Sequence, residues 1–151
     1  MLIKTQKMVS VAKQHGAIGM FKIEPELFLN LTSNKWREKI EKEALEVEDY
    51  NAFIQQGLIE SVPYIKILRN GKVVGHEGRH RAHAVENAGG KYIEVALIVM
   101  TKDPKATEKT SRKKRYIPYK GKFNASDVPG VWTAQFTNKK FPVRLLNYKV
   151  L

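Results

Sequence analysis

Val62-Pro63-Tyr64-Ile65-Lys66-Ile67-Leu68-Arg69-Asn70-Gly71-Lys72-Val73-Val74-Gly75-His76-Glu77-Gly78 is the stretch that decides the fold. Its two apolar runs, joined by Asn70-Gly71, carry a hairpin signature, because both turn residues tolerate a positive φ. Downstream, Arg79 to Asn87 places Ala82, Ala84 and Val85 to pack inward from a short helix closed by Gly89-Gly90. Tyr92 to Val99 is rich in β-branched residues and reads as a buried strand. Upstream, Met20 to Ile23 reads as a strand, and Pro25 suits the first turn of a helix over Glu26 to Leu29. A longer helix is expected from Ser33 or Asn34 to Ile54, stopped by Gly57. The order helix, hairpin, helix, strand predicts an α+β (mixed α/β) domain with a small mixed sheet and packed helices.

Composition narrows the chemistry. The 151 residues suit one domain with an appendage, and 42% apolar residues can supply a core. Cysteine is absent, which excludes disulfides, thiolate metal sites and thiol nucleophiles. The start, Met1 to Lys7, lacks an apolar stretch of signal-peptide length, and charges interrupt every hydrophobic run. The expectation is a cytoplasmic protein with no membrane partner.

The net charge of +12 points to a polyanionic partner, and its distribution is uneven. Residues 1–100 hold 14 Lys and Arg against 12 Asp and Glu, whereas residues 101–151 hold 13 against 3. Lys105, Lys109, Arg112, Lys113, Lys114 and Arg115 crowd a polar segment without hydrophobic periodicity. Three parts are therefore expected: a core over 1–100, a basic linker or arm over 101–116, and a C-terminal extension over 117–151 packing on the core. The extension's best strand candidate is Val143 to Leu151.

A strand, a glycine and a helix start together present backbone N–H groups and the positive end of a helix dipole to an anion. Gly75, His76, Glu77, Gly78, Arg79, His80 and Arg81 occupy that place. The glycines permit close backbone approach, and Arg forks suit phosphate oxygens. His76, His80 and His83 beside Glu77 form a competing metal reading, which Gly78 weakens by interrupting the helix that His76 and His80 would have to share.

From Gln56-Gly57-Leu58-Ile59 through the hairpin, the box Gly75 to Ala84 and the strand Ile93 to Ile98, the order and spacing resemble the ParB/sulfiredoxin superfamily. The resemblance covers about 45 residues. It implies a ParB/sulfiredoxin-like core and places Gly78, His80 and Arg81 against nucleotide phosphates. Position 79 departs from the pattern: sulfiredoxins carry a reactive cysteine there and chromosome-partitioning ParB proteins a glutamate, whereas this chain has Arg79. Sulfiredoxin chemistry is excluded. Small ParB-like proteins are often labelled nucleases, occur in phage or mobile-element genomes, and have a relative that phosphorylates free serine.

Three functions follow from the resemblance and the charge. The first is phosphate or nucleotide binding coupled to action on DNA, including nuclease activity, with the arm supplying salt-dependent affinity. A nuclease needs metal-holding carboxylates, with magnesium as the expected ion, or a positioned base; the catalytic candidates are Glu77, His80 and Glu24, with Glu26 beside the last. The second is transfer of a phosphoryl group from ATP or CTP to a hydroxyl, such as one on a modified base. The third is DNA binding without catalysis.

Overall fold

The computed structural model describes residues 12–32, 38–39, 62–135 and 137–151. Apart from helical residues 38 and 39, the helix expected over 33–54, its stop at Gly57 and the 56–59 segment that opens the resemblance lie outside the described residues. Strand β1 is Gly19–Ile23, helix α1 Pro25–Leu29, β2 Tyr64–Leu68, β3 Lys72–Glu77, α2 Arg79–Asn87 and β4 Ile93–Lys102. Four short strands follow: β5 Tyr116–Pro118, β6 Val131–Ala134, β7 Lys140–Pro142 and β8 Leu146–Val150. Among the described residues they form one mixed sheet ordered β7-β6-β3-β2-β4-β1-β8, with β5 paired to the far end of β4. No helix among these residues is long and apolar enough to cross a membrane.

The hairpin forms where the sequence places it, with a three-residue turn. Gly71 takes φ +89° and donates its N–H to the Leu68 carbonyl, while the Asn70 side chain accepts from the Lys72 N–H. Asn70 itself stays at negative φ, so a single glycine in the left-handed region closes the loop. β2 then pairs parallel with β4, Tyr64 opposite Ala96 and Leu68 opposite Met100, and β1 pairs antiparallel with the same strand. β4 is therefore flanked on both edges, which matches its near-continuous apolar sequence.

Alternation assigns the two faces of the sheet. Ile65, Ile67, Val95, Leu97 and Val99 meet Phe21, Ile23 and Val73 in the main core. α1 and α2 pack on each other and deliver Phe28, Leu29 and Ala82 to that same core, so this is the inner face. Tyr64 and Lys66 stand on the outer face, where Met20, Val62 and Ala96 form a smaller cluster.

The sheet curls strongly. Four strand spacings separate β1 from β6, about 19 Å in a flat sheet. Phe21 of β1 and Trp132 of β6 nonetheless meet edge to face with ring centroids 5.8 Å apart. Side chains stand roughly perpendicular to a sheet, so bending alone brings them together. Trp132 is fully buried and donates its indole N–H to the Pro129 carbonyl at 2.7 Å.

Two boundaries differ from the sequence reading. β4 runs through residue 100 to Lys102, so the division expected there falls inside a strand. The C-terminal third does more than pack on a finished core: β6 pairs with β3 and β8 with β1, at opposite sides of the sheet. The strand expected over 143–151 is Leu146–Val150. Trp132→Ala is expected to cost about 3–5 kcal/mol of stability, the range for deleting a large buried aromatic. Urea unfolding followed by circular dichroism checks this, and a loss below ~1 kcal/mol would mean that the curl does not depend on the indole.

Candidate functional site: an outer-face cleft at the hairpin end

The cleft is built by a register shift. Tyr64 pairs with Glu77, Ile65 with His76 and Lys66 with Gly75, but Ile67 pairs with Val73, which leaves Val74 as an extra residue in β3. Without this bulge, Val73 and His76 would face opposite sides; with it, both face the core. The same shift leaves Gly75 and Glu77 on the outer face beside Lys66 and Tyr64.

On that face a cleft of about 460 Å³ is bordered by Tyr64, Lys66, Arg79, Arg112, Tyr116 and Gln135. Gly75, His76 and Glu77 complete its β3 wall. Lys66 Nζ lies 5.2 Å from the centre of the Tyr64 ring, a cation–π contact that keeps the ammonium over the cleft wall. Burial, and secondarily the Glu77 carboxylate, push the Tyr64 phenol up from its ordinary value, so it stays a neutral hydrogen-bonding group at neutral pH.

The first turn of α2 divides the box between two places. Gly78 caps the helix at φ +120°, and Arg79 borders the large cleft. His80 and Arg81 border a smaller one of about 160 Å³, together with His15, Tyr64, Glu77 and Gly78. The roughly 200° of helical rotation between residues two apart accounts for this separation of Arg79 from Arg81. The two arginines therefore border different clefts, which adjoin at Tyr64 and Glu77.

His76 has a different environment from the one its sequence context suggests. Its ring meets Phe28 edge to face at 5.8 Å, and its buried Nε2 makes no hydrogen bond. Burial, and secondarily Arg79, lower its pKa to about 4, so the imidazole is neutral at physiological pH and is no cationic donor to phosphate. His83, the third histidine of the metal reading, is buried in α2 at 2% exposure. Among the described residues, no three His, Asp or Glu side chains are grouped to hold a metal.

Of the carboxylate candidates, Glu77 is exposed and borders both clefts. Glu24 is exposed at the start of α1, and Glu26 follows it in the first turn. β4 and β2 separate β1 from β3, and Glu24 borders neither cleft.

The basic segment, expected as a linker or arm, is a loop tied by its own hydrogen bonds. β4 and β5 form the neck of a hairpin, and residues 103–115 are its loop. The Arg115 carbonyl accepts the Asp103 N–H at 2.7 Å, and Arg115 Nε donates to the Thr110 carbonyl at 3.0 Å. Arg112 to Lys114 form a 3₁₀ turn that carries Arg112 to the cleft, while Lys105, Lys109 and Lys114 are exposed and border neither cleft beside the box. Lys113 lies within the same turn.

Tyr64, Lys66 and Gln135 are lining residues that the sequence reading did not single out. The alternation in Tyr64-Ile65-Lys66-Ile67 held the signal for the first two; Gln135 follows a strand that had no clear sequence signature. No family model, curated protein or solved structure matches this chain.

The glycines of the box differ in what they tolerate. A Cβ on Gly78 would sit 2.7 Å from Pro63 Cβ, on top of a φ that disfavours side chains, whereas a Cβ on Gly75 would meet nothing closer than Lys66 Cδ at 3.4 Å. Gly78→Ala should therefore lose about 1–3 kcal/mol of stability and Gly75→Ala less than ~1 kcal/mol, measured by urea denaturation. Equal effects would mean that the corner does not depend on Gly78. His76 gives an expectation in acid. Because its folded pKa lies below its unfolded value of 6.5, its stability contribution is complete above pH 6.5 and is lost as pH falls towards 4. The loss amounts to at most ~3 kcal/mol, at about 1.36 kcal/mol per pH unit. Thermal melts of wild type and His76→Leu across this window should show a flatter pH dependence in the variant; parallel curves would remove His76 as the cause.

Proposed function

We propose that this chain binds nucleic acid through phosphate groups held in the outer-face cleft, as a stand-alone ParB/sulfiredoxin-like core. One observation carries the reading: Lys66 from β2, Arg79 from the start of α2 and Arg112 from the 103–115 loop converge on one cleft that also holds Tyr64 and Tyr116. Cations from three separate elements give anion affinity, and two half-buried aromatic rings offer surfaces to a sugar or base. Among the residues bordering the cleft Glu77 alone is acidic, so the local balance favours an anion. The C-terminal excess of Lys and Arg adds a long-range attraction of the same sign.

A catalytic reading rests on Glu77. Its exposed carboxylate stands where the two clefts meet, in reach of anything that occupies either, and a carboxylate there can serve as general base for a hydroxyl or water. The described residues do not offer a group of three ligands that would hold a divalent metal unaided. ATP or CTP turnover distinguishes phosphoryl transfer, and nicking of plasmid DNA distinguishes a nuclease. Loss of either activity in Glu77→Gln, with binding retained, supports this role.

The binding reading is tested by fluorescence anisotropy with a labelled oligonucleotide at several salt concentrations. Lys66→Ala and Arg79→Ala should each weaken binding roughly 10-fold or more. Each should also reduce the slope of log K against log salt by about 0.7–0.9 for every phosphate that the variant leaves without its cation. Lys109→Ala, outside both clefts, is the control and should change affinity less. Equal losses in all three variants would reduce the cleft to general surface charge.

A further inference from the structure

The geometry points to a ligand that is a single-stranded nucleic acid spanning several nucleotides, rather than a lone nucleotide or a duplex. This rests on the phosphate-cleft reading above and specifies its substrate. The central cleft does not end at its own walls. Tyr64 and Glu77 belong both to it and to the smaller cleft bordered by His15, His80 and Arg81. Tyr116 belongs both to it and to a third cavity of about 620 Å³, bordered by Lys102, Thr107 and Arg115 under the 103–115 loop. Three cavities thus lie in series, each contains basic side chains, and a tyrosine stands at each junction.

The register gives the spacing of those junctions. Tyr64 is level with Ala96 and Tyr116 with Lys102 on the same strand β4. Six residues of strand span about 20 Å, longer than one nucleotide and compatible with a short extended run. The Tyr64 ring has the Lys66 ammonium on the central side and the His15 ring at 6.0 Å on the smaller-cleft side, so a cation and a second aromatic ring flank this junction along the path. Tyr116 is half-buried between two cavities and is the junction suited to stacking a base. Gln135, bordering the central cleft, supplies an amide with both a donor and an acceptor for a base edge. Alternating basic pockets and aromatic platforms are how sequence-tolerant single-strand sites are made, since every base presents a π face. A duplex hides those faces within its stack.

Anisotropy titrations of the full chain with labelled thymidylates, from the mononucleotide to about 12 nucleotides, test the inference. A parallel uridylate series distinguishes DNA from RNA as the source of the strand, and a duplex of the longest length is the third arm. Affinity should rise with length and level off only beyond roughly four nucleotides, with the duplex weaker than its single strand. Tyr116→Ala should weaken the longest oligonucleotide about 5- to 100-fold, a larger loss than it causes for the mononucleotide, and Tyr116→Phe should restore binding. A plateau already at the mononucleotide, or a duplex bound as tightly as its strand, overturns the inference and leaves the phosphate cleft standing. Failure of every nucleic acid to bind overturns both. The length series needs no variant, so misfolding of Tyr116→Ala does not blunt the test.

Discussion

One extra residue in β3 decides which side chains meet the core and which meet a ligand. Val74 has no partner in the β2–β3 register, and the shift it causes turns His76 inward while Gly75 and Glu77 turn outward. The inward ring fills space against Phe28, and the outward pair completes a wall begun by Lys66 and Tyr64. A regular hairpin would have carried His76 to the outer face and Gly75 to the core. The bulge thus joins packing and function in a single feature: the core receives an uncharged imidazole, and the cleft receives a glycine that leaves its floor open.

The curl of the sheet is the second constraint, because it makes the C-terminal third part of the site. Phe21 and Trp132 close the inner face, which holds β6 against β3 and brings Gln135, just beyond β6, to the cleft. From the other direction, the β4–β5 hairpin returns the chain so that Arg112 and Tyr116 border the same space. Backbone and side-chain hydrogen bonds within the 103–115 loop, several made by Arg115, hold this segment in place although Pro104 and Ala106 are its only apolar residues. Its charge is therefore positioned, with Arg112 at the cleft and Lys105 and Lys109 facing solvent.

Much of the fold was legible in local signals. Asn70-Gly71 marked the hairpin, Gly78 marked the start of α2, and the β-branched run marked β4, because turn chemistry and burial on both faces leave direct traces in sequence. β5, β6 and β7 were missed, being three or four residues long and rich in Pro, Lys and aromatics, with too few positions for alternation to register. The box was found, but its internal geometry was not. A bulge has no reliable sequence signature, so the inward turn of His76 was hidden, and so was the second use of Gly78, whose missing side chain makes room for Pro63. The order within the basic segment, expected as a linker or arm, was hidden for a related reason: hydrogen bonds to backbone carbonyls can order a loop that has no hydrophobic pattern.

The most direct test of the central claim, that the outer-face cleft is where nucleic acid binds, is a map of backbone amide shifts in the ¹⁵N-labelled protein during titration with an oligothymidylate. The largest shifts are expected at Lys66, Gly75, Glu77, Arg79, Arg112, Tyr116 and Gln135, residues that lie far apart in sequence and meet at this cleft. Shifts confined to the exposed lysines of the 103–115 loop and the C-terminal third, with Lys66, Gly75 and Arg79 unmoved, would contradict it.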